Sequence, residues 1–135
     1  MDRRYTSGFS LLELLIALAI VAILATITVP SFSGLVAQAR RSDAMAALVR
    51  VQLAQQRWRA RNPSYSEDLA VLGWSSPESP DGYYRLRVES ADARDFLVLA
   101  EPAGGQQSDN CGVFAIGVDG PDHAAGYAGR DCWRR

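Results

Sequence analysis

Lysine is absent from this sequence, histidine occurs once and cysteine twice. Without lysine there is no side-chain amine for Schiff-base chemistry. One histidine excludes paired-imidazole sites, and two cysteines with one histidine make a poor tetrahedral zinc set. An excess of either charge is also missing: 14 basic residues, all arginine, stand against 15 acidic ones. That balance argues against a protein that holds nucleic acid by bulk charge. No internal repeat or low-complexity tract is legible. His123 reads as a solvent-exposed loop residue, since no Ser or Cys nucleophile can be paired with it by spacing. The run Asp119-Gly120-Pro121-Asp122 reads as a turn; it lacks a complete set of oxygen ligands for calcium. The expectation is no catalytic residue, no metal and no cofactor, and so no enzyme.

Charge is scarcest between residues 9 and 30, FSLLELLIALAIVAILATITVP, where Glu13 stands alone. As a helix this run spans roughly 33 Å, enough for a hydrocarbon core of about 30 Å. Three readings are open: a secretory signal, a plain membrane anchor, or a precursor cut before the apolar run. The run is long for a signal core, and no small-residue cleavage site follows Pro30. Glu13 separates the other two. A carboxylate inside a spanning helix costs about 2.5–3.5 kcal/mol on insertion scales and usually has a partner. It lies one helical turn from Phe9. A cut after Gly8 would give Phe9 a free ammonium, and such a pair acts as a register device more than as a source of stability.

The residues G-F-S-L-L-E-L-L-I-A-L-A-I-V-A-I-L-A behind a short basic leader resemble the processing and assembly signal of type IV pilins and pseudopilins. The resemblance implies cleavage by a prepilin peptidase between Gly8 and Phe9, N-methylation of Phe9, an assembly role for Glu13 and a helix kink at Pro30. A proline removes one backbone donor and crowds the preceding turn, so a bend is expected there. Many major pilins carry a glycine where this chain has Ala22, which counts against extensive melting.

The resemblance implies an α+β type IV pilin fold: a long N-terminal helix, an antiparallel sheet of three or four strands, and a C-terminal disulfide loop. Its parts are a leader (1–8), a transmembrane or filament-core half-helix (9–30) and a periplasmic head (31–135). Arginines on both sides of the apolar run leave the positive-inside rule undecided. The head is placed outside by the cysteines and the resemblance. The implied partners are other pilin subunits, the peptidase and an inner-membrane assembly platform. The implied roles are twitching motility or adhesion. The runners-up are a type II secretion pseudopilin and a competence pilin that binds DNA.

Within 31–61, Leu35, Ala39, Ala46, Val49 and Leu53 recur at three-, four- and seven-residue steps, with Val36, Met45 and Leu48 beside them. That predicts an amphipathic helix packed on its own chain, ended by Asn62-Pro63. The spacing holds no strict apolar heptad, which counts against a coiled coil. Residues 62–82 read as a connection in which Ser66–Leu69 could start a short helix capped by Ser64 or Ser66. Tyr65, Leu69, Leu72 and Trp74 are its expected anchors. Residues 83–135 hold the strand-like runs 83–89, 95–101 and 111–119.

Cys111 and Cys132 are free thiols or a disulfide. Export favours the disulfide, and many pilins close a C-terminal loop this way. C-G-x-x-x-I with a final D-C-W resembles minor pilins of the PilE type. Arg130, Arg134 and Arg135 beside Trp133 form a small basic cluster that could touch nucleic-acid phosphates, with Trp133 stacking on a base.

Overall fold

A computed structural model describes residues 8–134, except for the side chains of residues 28–31. The expected leader lies outside the described residues, apart from Gly8. The chain runs through one helix, α1 (Leu11–Arg59), then four strands: β1 (Tyr84–Ala91), β2 (Phe96–Pro102), β3 (Phe114–Gly117) and β4 (Gly120–Asp122). It divides into two units between Val36 and Ala37.

In the first unit α1 begins as the Leu14 amide donates to the Ser10 carbonyl at 3.2 Å. Glu13 in the first turn suits the positive end of the helix. Every described side chain from Phe9 to Ile27 is exposed, Leu11 at 77% and Leu18 at 67%. A helix apolar all round has no solvated face, which is the pattern of a segment that meets lipid or other helices. The backbone of α1 is helical through Pro30, but the side chain that would bend it lies outside the described residues.

In the second unit the head half of α1 packs on the sheet with Ala44, Ala47, Leu48 and Val51 fully buried. This corrects the expected face. Val49 and Leu53 are about half exposed, at 51% and 50%, and Ala39 and Ala46 are exposed. The helix carries two apolar stripes, and periodicity alone cannot choose between them. The sheet takes the stripe with Ala44 and Ala47, whose small side chains let helix and sheet backbones approach closely. That stripe also carries polar pins at its ends, Asp43 and Gln55, both buried. The helix stops as Asn62 Nδ2 donates to the Trp58 carbonyl at 2.8 Å, just before Pro63.

The sheet is an antiparallel meander in the order β1-β2-β3-β4. Alternation puts Tyr84 and Leu86, Phe96, Val98 and Ala100, and Phe114 and Ile116 into the core beneath the helix. Rings meet edge-on, Tyr65 with Phe96 at 4.8 Å and Tyr84 with Phe114 at 5.8 Å. The register slips between Val88 and Ser90, a bulge that twists the outer end of β1. The run expected over 111–119 is shorter and doubles back: Gly120, at φ 116°, closes a tight turn into β4.

The short helix expected from Ser66 does not form. Ser66 Oγ accepts from the Asp68 amide at 3.0 Å, and Asp68 Oδ1 from the Ala70 amide at 2.8 Å. These local side-chain bonds compete with helical ones, and the chain turns over residues 69–73 instead. Tyr65 is buried in the core, with Leu69, Leu72 and Trp74 packed against it as expected.

Candidate functional site

The N-terminal site is simple. Gly8 and Phe9 precede the helix, and Phe9 is 75% exposed. Ser10, Glu13 and Ala17 follow one another up α1 and, with Leu12, Ile16 and Ile20, line a shallow groove. One carboxylate thus sits in an otherwise apolar strip. If that strip leaves water, the carboxylate requires a cation or a proton. No hydrogen bond or ion pair engages Glu13 among the described residues, so such a cation would have to come from outside them.

The head is fastened by polar contacts that the sequence did not advertise. Asp43 accepts from Ser79 Oγ at 2.5 Å and from the amides of Asp81 at 3.2 Å and Tyr83 at 3.4 Å. Ser79 Oγ in turn accepts from the Tyr84 amide at 2.9 Å. Gln55 grips Ser66 twice, donating to its carbonyl at 2.7 Å and accepting from its amide at 2.9 Å. Together they hold the connecting segment on the helix. Their only trace in the sequence is a polar residue at an inward position of an apolar stretch.

At the other end of the head half, Arg41 forms a two-pronged pair with Asp109, at 2.8 and 2.6 Å. Gln106 Nε2 lies 3.1 Å from each of the Ala37 carbonyl, the Tyr84 hydroxyl and Asp109, sharing its two hydrogens among the three. The Arg41 hydrogen bond holds the Asp109 carboxyl below the usual carboxylate range, against the opposing effect of burial. The same bond raises Arg41. Burial pushes the Tyr84 phenol up, opposed by its bond from Gln106.

Two residues beyond Asp109 the chain enters the disulfide Cys111–Cys132, whose Cα atoms are 5.8 Å apart. The loop it closes includes the Gly-rich residues 119–131, in which only Ala128 is buried. His123 is exposed, its Nδ1 3.0 Å from the Ala128 carbonyl.

The C-terminal basic cluster surrounds a short turn over Arg130–Trp133. Trp133 is partly buried, its ring edge-on to Phe114 at 5.3 Å and its indole N–H enclosed. Arg134 meets Asp131 at 3.3 Å, Arg130 is exposed, and Arg135 lies outside the described residues.

A different basic surface is better placed. Arg50, Arg57 and Arg61 recur at steps of seven and four, so they share one side of the helix and its exit. Arg57 and Arg61 line a groove with Trp58, Val71 and Leu72, and Arg50 lines the next groove beside Trp74. None of the three arginines is ion-paired among the described residues.

Residues 3–29 match the prokaryotic N-terminal methylation motif. Residues 30–115 match the family described as type IV minor pilin ComP, DNA uptake sequence receptor. The chain is 34% identical to the type IV major pilin protein PilA of Myxococcus xanthus over 115 residues, 83% of this chain but 52% of that one. It thus spans about half the length of that relative. It is 33% identical to the type IV wide pilus major component PilA4 of Thermus thermophilus, over 76% of this chain and 78% of that one. It is 27% identical to type II secretion system core protein G of Pectobacterium carotovorum, over 84% and 76%. The solved structure of a type IV pilin from Shewanella oneidensis superposes with a TM-score of 0.52 at 28% identity, covering 73% of this chain and 99% of that one. Sequence and fold together lead to one conclusion: the chain belongs to the type IV pilin family.

Proposed function

We propose that this chain is a structural subunit, a minor one, of a type IV pilus. The observation that carries the reading is the exposed apolar half of α1 with a single carboxylate in its groove, behind a methylation motif. A prepilin peptidase cuts between Gly8 and Phe9 and methylates Phe9. The new amine keeps its charge and pairs with Glu13 of a neighbouring subunit. Before assembly the apolar half anchors the subunit in the inner membrane with the head in the periplasm; at the assembly platform it leaves lipid for the filament core.

The test is mass spectrometry of sheared surface filaments. Peptides beginning at methylated Phe9 are expected in amounts well below those of a major subunit. Glu13→Leu should leave the protein in the membrane and remove it from filaments. Recovery with Met1 attached, or normal incorporation of Glu13→Leu, would overturn the reading. Lost protein secretion with intact pili on deletion would favour a type II secretion pseudopilin.

A second reading adds DNA contact, as in the family matched over residues 30–115. The unpaired arginines beside Trp58 favour it. Full-length protein in detergent should then bind labelled DNA with a salt-dependent affinity. Arg57→Ala with Arg61→Ala should weaken that binding more than Arg130→Ala with Arg134→Ala; no binding by the wild-type protein would end this reading.

A further inference from the structure

One surface of the head carries donors that its own fold leaves unused. Arg57 and Arg61 are exposed and lie one helical turn apart. Neither makes an ion pair, a hydrogen bond or a ring contact among the described residues. Trp58 is half-buried in the same groove, and its indole N–H has no acceptor among the described residues. The groove is closed by Asn62, Val71 and Leu72 and encloses about 260 Å³. Asn62 spends its Nδ2 on the Trp58 carbonyl, which leaves its Oδ1 as an acceptor. No carboxylate lines this groove.

That set of groups names the chemistry of what fits. Two unpaired guanidinium groups call for an anion, and their planar forks match carboxylate oxygens. The indole ring and the aliphatic wall call for an apolar face on the same molecule. The indole N–H and the amide oxygen call for hydroxyl groups. A sugar ring that bears a carboxylate supplies all three: a C–H face, hydroxyls and a charge. The next groove along the helix repeats the pairing, with Arg50 beside Trp74, and Arg50 precedes Arg57 by about 10 Å of helix. A polymer lying along the helix meets both grooves in turn.

Charge density then chooses between polyanions. Duplex DNA carries a negative charge about every 1.7 Å and asks for a dense positive surface. Here the positive charge is diluted. Glu78 lines the Arg50 groove, Glu67 and Asp68 line the groove on the other side of Trp58, and the chain as a whole has more acid than base. Three arginines spread over about three helical turns match a polymer whose charges are far apart. We propose that the Arg57–Trp58–Arg61 groove is a binding site for a carboxylate-bearing polysaccharide, with the arginines on carboxylates and a sugar ring against Trp58. The site lies wholly within the head, so it does not rest on the filament reading. It competes with the DNA reading for the same arginines.

The test titrates the full-length protein, in a nonionic detergent, with oligogalacturonate, with its fully methyl-esterified form and with a DNA duplex of matched length, each followed by calorimetry. Oligogalacturonate should bind, and binding should weaken as salt rises. The uncharged ester should bind about tenfold more weakly or not at all. Arg57→Gln with Arg61→Gln should lower the affinity for oligogalacturonate about tenfold or more while the head melts at its usual temperature. Trp58→Leu should act in the same direction; should it fail to fold, the arginine variant decides. No binding of oligogalacturonate, equal binding of the ester, or wild-type affinity in the arginine variant overturns the site. Duplex DNA bound more tightly than oligogalacturonate at the same salt overturns it too and leaves the DNA reading standing. Oligogalacturonate binding without DNA binding ends the DNA reading and keeps this one.

Discussion

The two halves of α1 are made of similar residues and do different things. From Leu11 to Ile27 every side chain of the helix is exposed. From Ala44 to Gln55 it buries a full stripe against the sheet. The difference lies in which positions are small or polar. The head half places alanines where a sheet must come close, and an aspartate and a glutamine where loops must be held. The apolar half carries one charge, Glu13, and is otherwise apolar on every side. A helix can therefore be half core and half interface without a change of secondary structure. Substitutions in the two halves should separate cleanly into effects on folding and effects on assembly.

The largest expected effect on folding is at Phe114, which touches both Tyr84 and Trp133. Phe114→Ala should cost the head about 4 kcal/mol, read as loss of the cooperative melt of the full chain in detergent. Membrane anchoring should be untouched. Replacing Cys111 and Cys132 by serine frees a loop of 22 residues counting both ends, worth about 3 kcal/mol in the chain-entropy model. The melt should fall by about 10 °C or more, and reductant should do the same to the wild type.

Asp43→Ala should cost about 2 kcal/mol by leaving Ser79 and two amides without their acceptor. Amide exchange should then rise over residues 79–84 before it rises in the sheet. A subtler handle is pH. The folded Asp109 carboxyl titrates below its unfolded value because Arg41 binds its charged form. Its contribution is therefore complete above the unfolded value, near 4, and is lost as pH falls through the folded one. Asp109→Asn should flatten that part of the acid melting profile. At the bottom of the scale, Leu18→Ala should move the head melt by no more than about 0.5 kcal/mol. A larger change would mean that the two halves are coupled.

Much of this molecule was legible in advance. The long helix, its stop at Asn62-Pro63 and the first two strands of the sheet could be read in order along the chain. The family matches support the pilin reading, and the structure joins Cys111 to Cys132. What could not be read was choice between equals. Both apolar stripes of the head half satisfy the helical period, and the one with larger residues, Val49 and Leu53, is not the one the sheet took. Trp133 at the chain end read as free to stack, but a ring two strands away claims it. Ser66 read as a cap, but its hydroxyl was already engaged by a turn. The first two depend on a neighbour distant in sequence; the third is decided two residues on, at Asp68.

The last strand also limits how copies can join. β4 is three residues long and has Pro121 at its centre, opposite Ile116. A proline has no amide hydrogen to offer an incoming strand, and so short an edge gives little backbone to extend. This margin of the sheet is closed to growth by strand addition. The heads can crowd together at high local concentration without zipping into amyloid along β4, which leaves order along that side to the helices.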